Sequence, residues 1–222
     1  LMFAIRDSLG NLVGFAGRAL DGSNPKYLNT PQTALFDKGH LLYGTNLANE
    51  SFKREGIAVI VEGYMDVIAA HQHGYRNVVA SMGTALTEHQ VALLKQRATT
   101  VILALDPDLA GQEATLRSLE GSWSIVGKQH LSDSRRLKSP LYERTGDLEM
   151  LRIAILPGGK DPDELIRSDP TQWHSLINEA VSVVDYLFQA LGQRIDVSSS
   201  HGKMELTDRL FPLIASMQNP YE

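Results

Sequence analysis

The chain has 222 residues, no cysteine, 21 basic and 26 acidic side chains, and a formal net charge of -5. That length can bury a sizeable core in one large or two small domains, while the lack of cysteine excludes a disulfide framework, a Cys-type zinc centre and a cysteine nucleophile, and agrees with a reducing cytoplasm. The acidic balance argues against a protein that holds nucleic acid by overall charge, but a basic strip beside an acidic reaction centre remains compatible with it. No apolar run reaches membrane-spanning length and no signal peptide is visible. Because the first residue is Leu1, the natural start is expected upstream.

Residues 1–20 alternate apolar and polar on both sides of Ser8-Leu9-Gly10-Asn11, which predicts a β-hairpin with Leu1, Phe3 and Ile5 on one face. The stretch from Asp21 to Thr33 is rich in Gly, Asn and Pro and reads as loop, presenting Lys26 and Tyr27 in extended backbone beside Pro25. Lys26 on its own reads as a solvated loop lysine; Arg18, Lys26, Lys38 and His40 together make a candidate basic strip. A helix is expected from Thr45 to about Glu55, then a short β-branched run, Ala58-Val59-Ile60-Val61, that stops at Glu62-Gly63-Tyr64-Met65-Asp66. The next helix, Met65 to His73, closes at Gly74; His71 and His73 are two apart, do not face each other, and are expected to be exposed. After a strand over Asn77–Ala80 and a turn at Gly83, Thr87-Glu88-His89-Gln90 has the form of a capping box for a helix reaching about Arg97, with Val91, Leu93 and Leu94 as core.

The second half begins with another apolar run, Val101 to Leu105, ending in Asp106-Pro107-Asp108 and followed by a helix to about Glu120. Residues 121–148 are the least regular and read as a surface insertion in preference to a nucleic-acid-contacting arm. A third run, Leu151 to Leu156, ends at Pro157-Gly158-Gly159 and leads into Lys160-Asp161-Pro162-Asp163, the same acid-x-acid arrangement as at 106–108. Beyond Pro170, Trp173, Leu176, Ile177, Val184, Leu187, Phe188 and Leu191 recur at helical spacing and suggest a small helical subdomain; after a polar link over 196–202, a last helix runs from about Lys203 to near Met217.

Three short strands that each stop at acid describe an α/β sheet with carboxylates gathered in the crevice outside the strand ends, where such sheets bind ligands. Glu62 and Asp66 converge if Asp66 lies in the first helical turn, and Asp106 and Asp108 share a side of extended backbone. Acids packed this closely raise one another's pKa, and a bound cation removes that cost; oxygen donors without thiolate favour Mg²⁺ or Mn²⁺ over zinc. Each acid also has a plain local reading: Asp66 at a helix N-terminus, Asp106 as a cap, Asp161-Pro162-Asp163 as a turn.

The segments Val-Glu-Gly-Tyr-Met-Asp at 61–66, Ser-Met-Gly-Thr-Ala-Leu-Thr at 81–87 and Asp-Pro-Asp-Leu-Ala-Gly at 106–111 resemble the toprim core of bacterial DnaG-type primases. Met-Phe-Ala-Ile-Arg-Asp at 2–7, Gly-Phe-Ala-Gly-Arg at 14–18, Pro-Lys-Tyr-Leu-Asn-Thr-Pro at 25–31 and Phe-Asp-Lys-Gly at 36–39 resemble the segment that precedes toprim in that family, in matching order. The sequence departs from the family pattern at Pro107, where glycine is usual, and at Leu109, where a basic residue is often found.

The resemblance implies a toprim-type, parallel-rich α/β sheet flanked by helices. Part of an α/β N-terminal subdomain (1–55) would precede the toprim domain (56–169, insertion about 121–148), and a small helical subdomain (170–222) would follow. It further implies RNA primer synthesis on a single-stranded DNA template from ribonucleoside triphosphates, with Mg²⁺ or Mn²⁺, in the bacterial cytoplasm by a monomer. Glu62, Asp66, Asp106 and Asp108 would be catalytic; Glu62, Asp106, Asp108, Asp161 and Asp163 would hold metal; Arg18, Lys26, Tyr27 and Lys38 would contact nucleic acid or nucleotide. Replicative helicase is expected to bind only through a C-terminal domain absent from this chain. Two other toprim readings stand beside this one: a topoisomerase or nuclease, with Tyr64 in the motif, and a non-catalytic nucleic-acid-binding scaffold.

Overall fold

The computed structural model describes residues 1–83, 86–105, 150–158 and 160–214. The first twenty residues form the expected hairpin, in which β1 (Met2–Arg6) pairs antiparallel with β2 (Leu12–Arg18). Its turn is held by Asp7, whose Oδ1 accepts the backbone N–H groups of Leu9 and Asn11 at 2.9 Å. Alternation sends Phe3 and Ile5 into a core, while Leu1, at the very beginning, is exposed and departs from the expected shared face. The Gly- and Pro-rich stretch is not all loop, because Tyr27–Asn29 forms a third strand, β3, against β2. Three residues are too few to show a period in sequence, and the pairing partner supplies what the pattern does not.

The larger sheet has five strands, and its order follows from a run of βα units. After α1 (Thr45–Glu55) come β4 (Ile57–Val61), α2 (Tyr64–Gln72), β5 (Val78–Ala80), α3 (Glu88–Lys95) and β6 (Thr100–Leu105). The second part holds β7 (Leu151–Ile155), α4 (Pro162–Ser168), α5 (Pro170–Asn178), β8 (Val181–Ser182), α6 (Val183–Gly192) and α7 (Ser200–Ile214). The strand order is β5-β4-β6-β7-β8. The first four of these run parallel, and β8 pairs antiparallel with β7 at the edge.

Helices cover both faces, which is why the strands read as continuous apolar runs. Ala58, Ile60, Val101, Leu103, Leu151 and Ile153 face a core shared with Phe52 of α1, Leu94 of α3 and Tyr186, Leu187 and Leu191 of α6. The alternate residues Val59, Val61, Ile102, Ala104 and Ala154 face a second core with Val67 and Ala70 of α2, Leu165 and Ile166 of α4 and Trp173 of α5. Parity along each strand thus assigns each helix to its side. Among the described residues no helix is long and apolar enough to cross a membrane.

Register brings the strand ends to one edge. Ile60 lies beside Leu103, and Leu103 beside Ile153, so the carboxyl ends of β4, β6 and β7 are adjacent and point the same way. Glu62 follows β4 directly, and the Lys160–Asp163 segment follows β7. Asp106, Asp108 and the 121–148 stretch lie outside the described residues.

A candidate acidic centre and its basic border

The Glu-Gly-x-x-x-Asp spacing is explained by one folded-back side chain. Asp66 occupies the third position of α2, and its Oδ2 accepts the backbone N–H of Gly63, the helix N-cap, at 3.0 Å. Three residues of helix are what returns a carboxylate to its own N-cap. Gly63 has ordinary extended backbone; its lack of a side chain matters because a Cβ there would lie 2.8 Å from Asp66 Oδ2. Asp66 is 9% exposed, and its second oxygen accepts the backbone N–H of Asp163 at 3.2 Å. Two acidic segments 97 residues apart are thereby tied together by one carboxylate. Glu62, next to this knot, is exposed.

At the end of β7 the acids stand at a helix entrance rather than in an extended pair. Asp161 is the N-cap of α4, its Oδ1 accepting the Glu164 N–H at 2.8 Å, and Pro162 supplies the preset backbone of the first helical position. Asp163 makes an ion pair with Arg167 one turn later, Oδ1 to Nε 2.5 Å. Proline at the first helical position starts the helix directly after Asp161. Among the described residues, no three His, Asp or Glu side chains by themselves form a cluster that could hold a metal ion.

Tyr64, inside the same motif, joins the small sheet to the large one. It is 3% exposed, stacks on Phe3 at 5.0 Å between ring centroids, and meets Tyr43 edge-on at 4.8 Å. Its hydroxyl donates to Asn29 Oδ1 at 2.6 Å. Burial, with smaller contributions from Tyr43 and Tyr27, pushes the phenol up to about 12. A hydroxyl this buried, already bonded and this reluctant to ionise is no nucleophile, so Tyr64 gives the topoisomerase reading no support.

The basic residues border this joint. Arg18, at the end of β2, places its guanidinium 5.4 Å from the centre of the Tyr27 ring, and Tyr27 lies 6.0 Å from Tyr64. Lys26 is exposed, while its carbonyl accepts the Ala19 N–H at 3.0 Å. Lys38 is half-buried, in a loop clamped from the other side by α3. There the capping box expected at Thr87 and Gln90 is formed, with Gln90 N–H donating to Thr87 Oγ1 at 3.2 Å and Thr87 N–H to Gln90 Oε1 at 3.0 Å. Gln90 also donates from Nε2 to the carbonyls of Lys38 at 2.8 Å and Leu41 at 2.9 Å, and Thr87 Oγ1 donates to the Gly39 carbonyl at 2.5 Å. These contacts between distant segments, like the Tyr64–Asn29 bond, have no sequence signal beyond the box itself.

His40, also in the proposed strip, pairs with Asp37 through Nδ1 at 3.0 Å and lies ring to ring with His89, centroids 3.9 Å apart. Of the two histidines expected to be exposed, His73 is, but His71 is half-buried. Its Nε2 lies 2.8 Å from the Val78 carbonyl, and burial lowers its pKa. The edge of β5 supplies a partner that helical spacing alone does not reveal.

Known proteins match along most of the chain. Residues 1–49 match the family described as DNA primase catalytic core, N-terminal domain, residues 56–134 the toprim domain, and residues 184–222 the DnaB-helicase binding domain of primase. The last match corrects the expectation that helicase binding belongs only to a domain absent from this chain; helical periodicity in α6 and α7 carries no information about partners. The DNA primase of Deinococcus radiodurans is 40% identical over 99% of this chain and 34% of its own length, and that of Clostridium acetobutylicum 38% over 98% and 33%. The chain thus spans about one third of the length of these curated relatives. A solved DnaG primase catalytic domain bound to single-stranded DNA is 34% identical and superposes with a TM-score of 0.78, covering 99% of this chain and 65% of that one. With the parallel sheet, the Asp66 knot between Gly63 and Asp163 and these matches in the same order along the sequence, the chain belongs to the bacterial DnaG-type DNA primase family, within its toprim-containing core.

Proposed function

We propose that this chain is the catalytic region of a primase that makes short RNA primers on single-stranded DNA for replication. The observation that carries the reading is the Asp66 carboxylate, which binds the end of β4 to the start of α4 and so draws two acidic segments to one edge of a parallel sheet. The reaction joins a ribonucleotide 3'-hydroxyl oxygen to the α-phosphorus of an incoming triphosphate. The bond to the β-phosphate breaks, pyrophosphate leaves, and the hydroxyl proton passes to a carboxylate or to water.

The family depends on metal, and the residue types fit a hard divalent cation because every candidate donor is carboxylate oxygen. Glu62, Asp106, Asp108, Asp161 and Asp163 would hold Mg²⁺ or Mn²⁺. A cation held there would lower the pKa of the attacking hydroxyl and neutralise charge on the leaving oxygens. Glu62, exposed beside the knot, ligates or accepts the hydroxyl proton, and Asp66 orients its neighbours through the backbone. Arg18, Lys26, Tyr27 and Lys38 contact template, primer or triphosphate at the border of the acids. Single-stranded template, triphosphates and primer are the partners on this reading, with helicase contact through residues 184–222, in the bacterial cytoplasm.

The test is incorporation of labelled ribonucleotides on a single-stranded template by protein containing this region. Glu62→Ala and Asp106→Ala are each expected to lower the rate by roughly 100-fold or more. Near wild-type synthesis by both would refute the proposal.

A further inference from the structure

Gln90 makes more bonds than a helix cap requires. At 0% exposure it satisfies its whole side-chain amide: the oxygen accepts from Thr87 N–H, and the nitrogen donates to two carbonyls of another segment. Buried amides with every donor and acceptor used rigidify what they touch, because any displacement strands several polar groups at once. What this one touches is the backbone of Lys38 itself and of Leu41, with the Thr87 hydroxyl on Gly39 between them. The same short loop is braced internally by Asp37 Oδ1, which accepts the Gly39 N–H at 2.8 Å.

Topology sets where this clamp acts. In a parallel sheet the helix after a strand begins at the carboxyl edge, and α3 follows β5. The first turn of α3 therefore stands at the same edge of the sheet as Glu62, and a loop fastened to that turn is held at that edge. A lysine side chain is long and flexible, so its charge meets a phosphate in a fixed place only if its backbone is fixed.

We propose that Gln90 is a positioning residue for nucleic-acid binding, its buried amide holding the 37–41 loop against α3 so that Lys38 meets a phosphate of the bound strand at the acidic edge. This rests on the reading of Lys38 as a phosphate contact. Gln90→Glu separates the two duties of the side chain, since a glutamate at this position still accepts from Thr87 N–H but has no donor for the Lys38 and Leu41 carbonyls. Gln90→Met removes both donors without adding charge, and so controls for repulsion between the new carboxylate and DNA.

The experiment measures affinity for a fluorescein-labelled single-stranded deoxyoligonucleotide over a salt series. The proteins are wild type, Lys38→Ala, Gln90→Glu, Gln90→Met and the two double variants, each confirmed folded by circular dichroism. Lys38→Ala is expected to weaken binding roughly fivefold and to reduce the salt slope by about 0.7, the loss of one contact on a single strand. Each Gln90 variant should reproduce most of that loss, and each double variant should bind no worse than Lys38→Ala alone, an outcome that a general loss of stability does not produce. If Lys38→Ala weakens binding while both folded Gln90 variants bind as wild type, or if the losses multiply, the inference falls and the reading of Lys38 survives. If Lys38→Ala itself binds as wild type, both fall. Should one Gln90 variant fail to fold, the other decides.

Discussion

At the end of β4 the acid is turned inward: Asp66 is buried and spends its oxygens on the N–H groups of Gly63 and Asp163, while Glu62 beside it faces solvent. At the end of β7 the acids serve the helix that begins there, Asp161 capping α4 from an exposed position and the largely buried Asp163 pairing with Arg167 one turn on. Both ends collect negative charge, and both spread it over backbone amides and a helix N-terminus, whose partial positive charge favours it. The difference is in what each carboxylate fixes. Asp66 holds two segments of chain together, whereas Asp161 holds only its own helix.

The comparison breaks most sharply at Asp66. Replacing it with alanine strands two amides in a part of the molecule with little access to water, and about 2–4 kcal/mol of stability should be lost in urea unfolding. Primer synthesis should fall with it. Gly63→Ala attacks the same knot by volume: the new Cβ must displace Asp66 Oδ2, at an expected cost of about 1–3 kcal/mol, read by the same unfolding experiment.

On the β7 side the expected losses are smaller, and two variants separate capping from charge. Asp161→Ala should cost about 1 kcal/mol of stability and Asp161→Asn only a few tenths, because asparagine still caps. Both should nevertheless lose primer synthesis if the charge of Asp161 serves a cation, so equal activity in Asn and wild type would reduce Asp161 to a cap.

The smallest effect lies at the far end of α2. Burial lowers the His71 pKa, so the unfolded chain takes up its proton first as the pH falls. Stability from this group is complete above the ordinary histidine value near 6.5 and declines as pH drops from there toward the lowered folded value. His71→Gln, which can keep a donor toward Val78, should flatten that part of the profile in thermal melts between pH 7 and 5.

The features legible in sequence were those decided locally. The bounds of α1 at Thr45 and Glu55, the hairpin turn at 8–11, the Thr87–Gln90 box and the halt of β4 at Glu62 all follow from neighbours within one or two turns. The missed features were decided at a distance. Strands β3 and β8 exist because β2 and β7 offer them edges, and His71 is half-buried because β5 passes beside it. For the acids, residue type and spacing place Glu62 and Asp161 after parallel strands, but the division of labour between Asp66 and Asp161 depends on bonds to amides that no spacing reveals. Gln90 shows the same limit from the other direction: its capping role is written in four residues, and its hold on Lys38 is not.

Titration calorimetry with Mn²⁺ tests the central claim most directly, that carboxylates from separate strand ends serve one cation site. The account predicts saturable binding by the wild-type chain that is lost in Glu62→Gln and equally in the cap-preserving Asp161→Asn. Binding that each variant retains unchanged, or no saturable binding in the wild type, would contradict it.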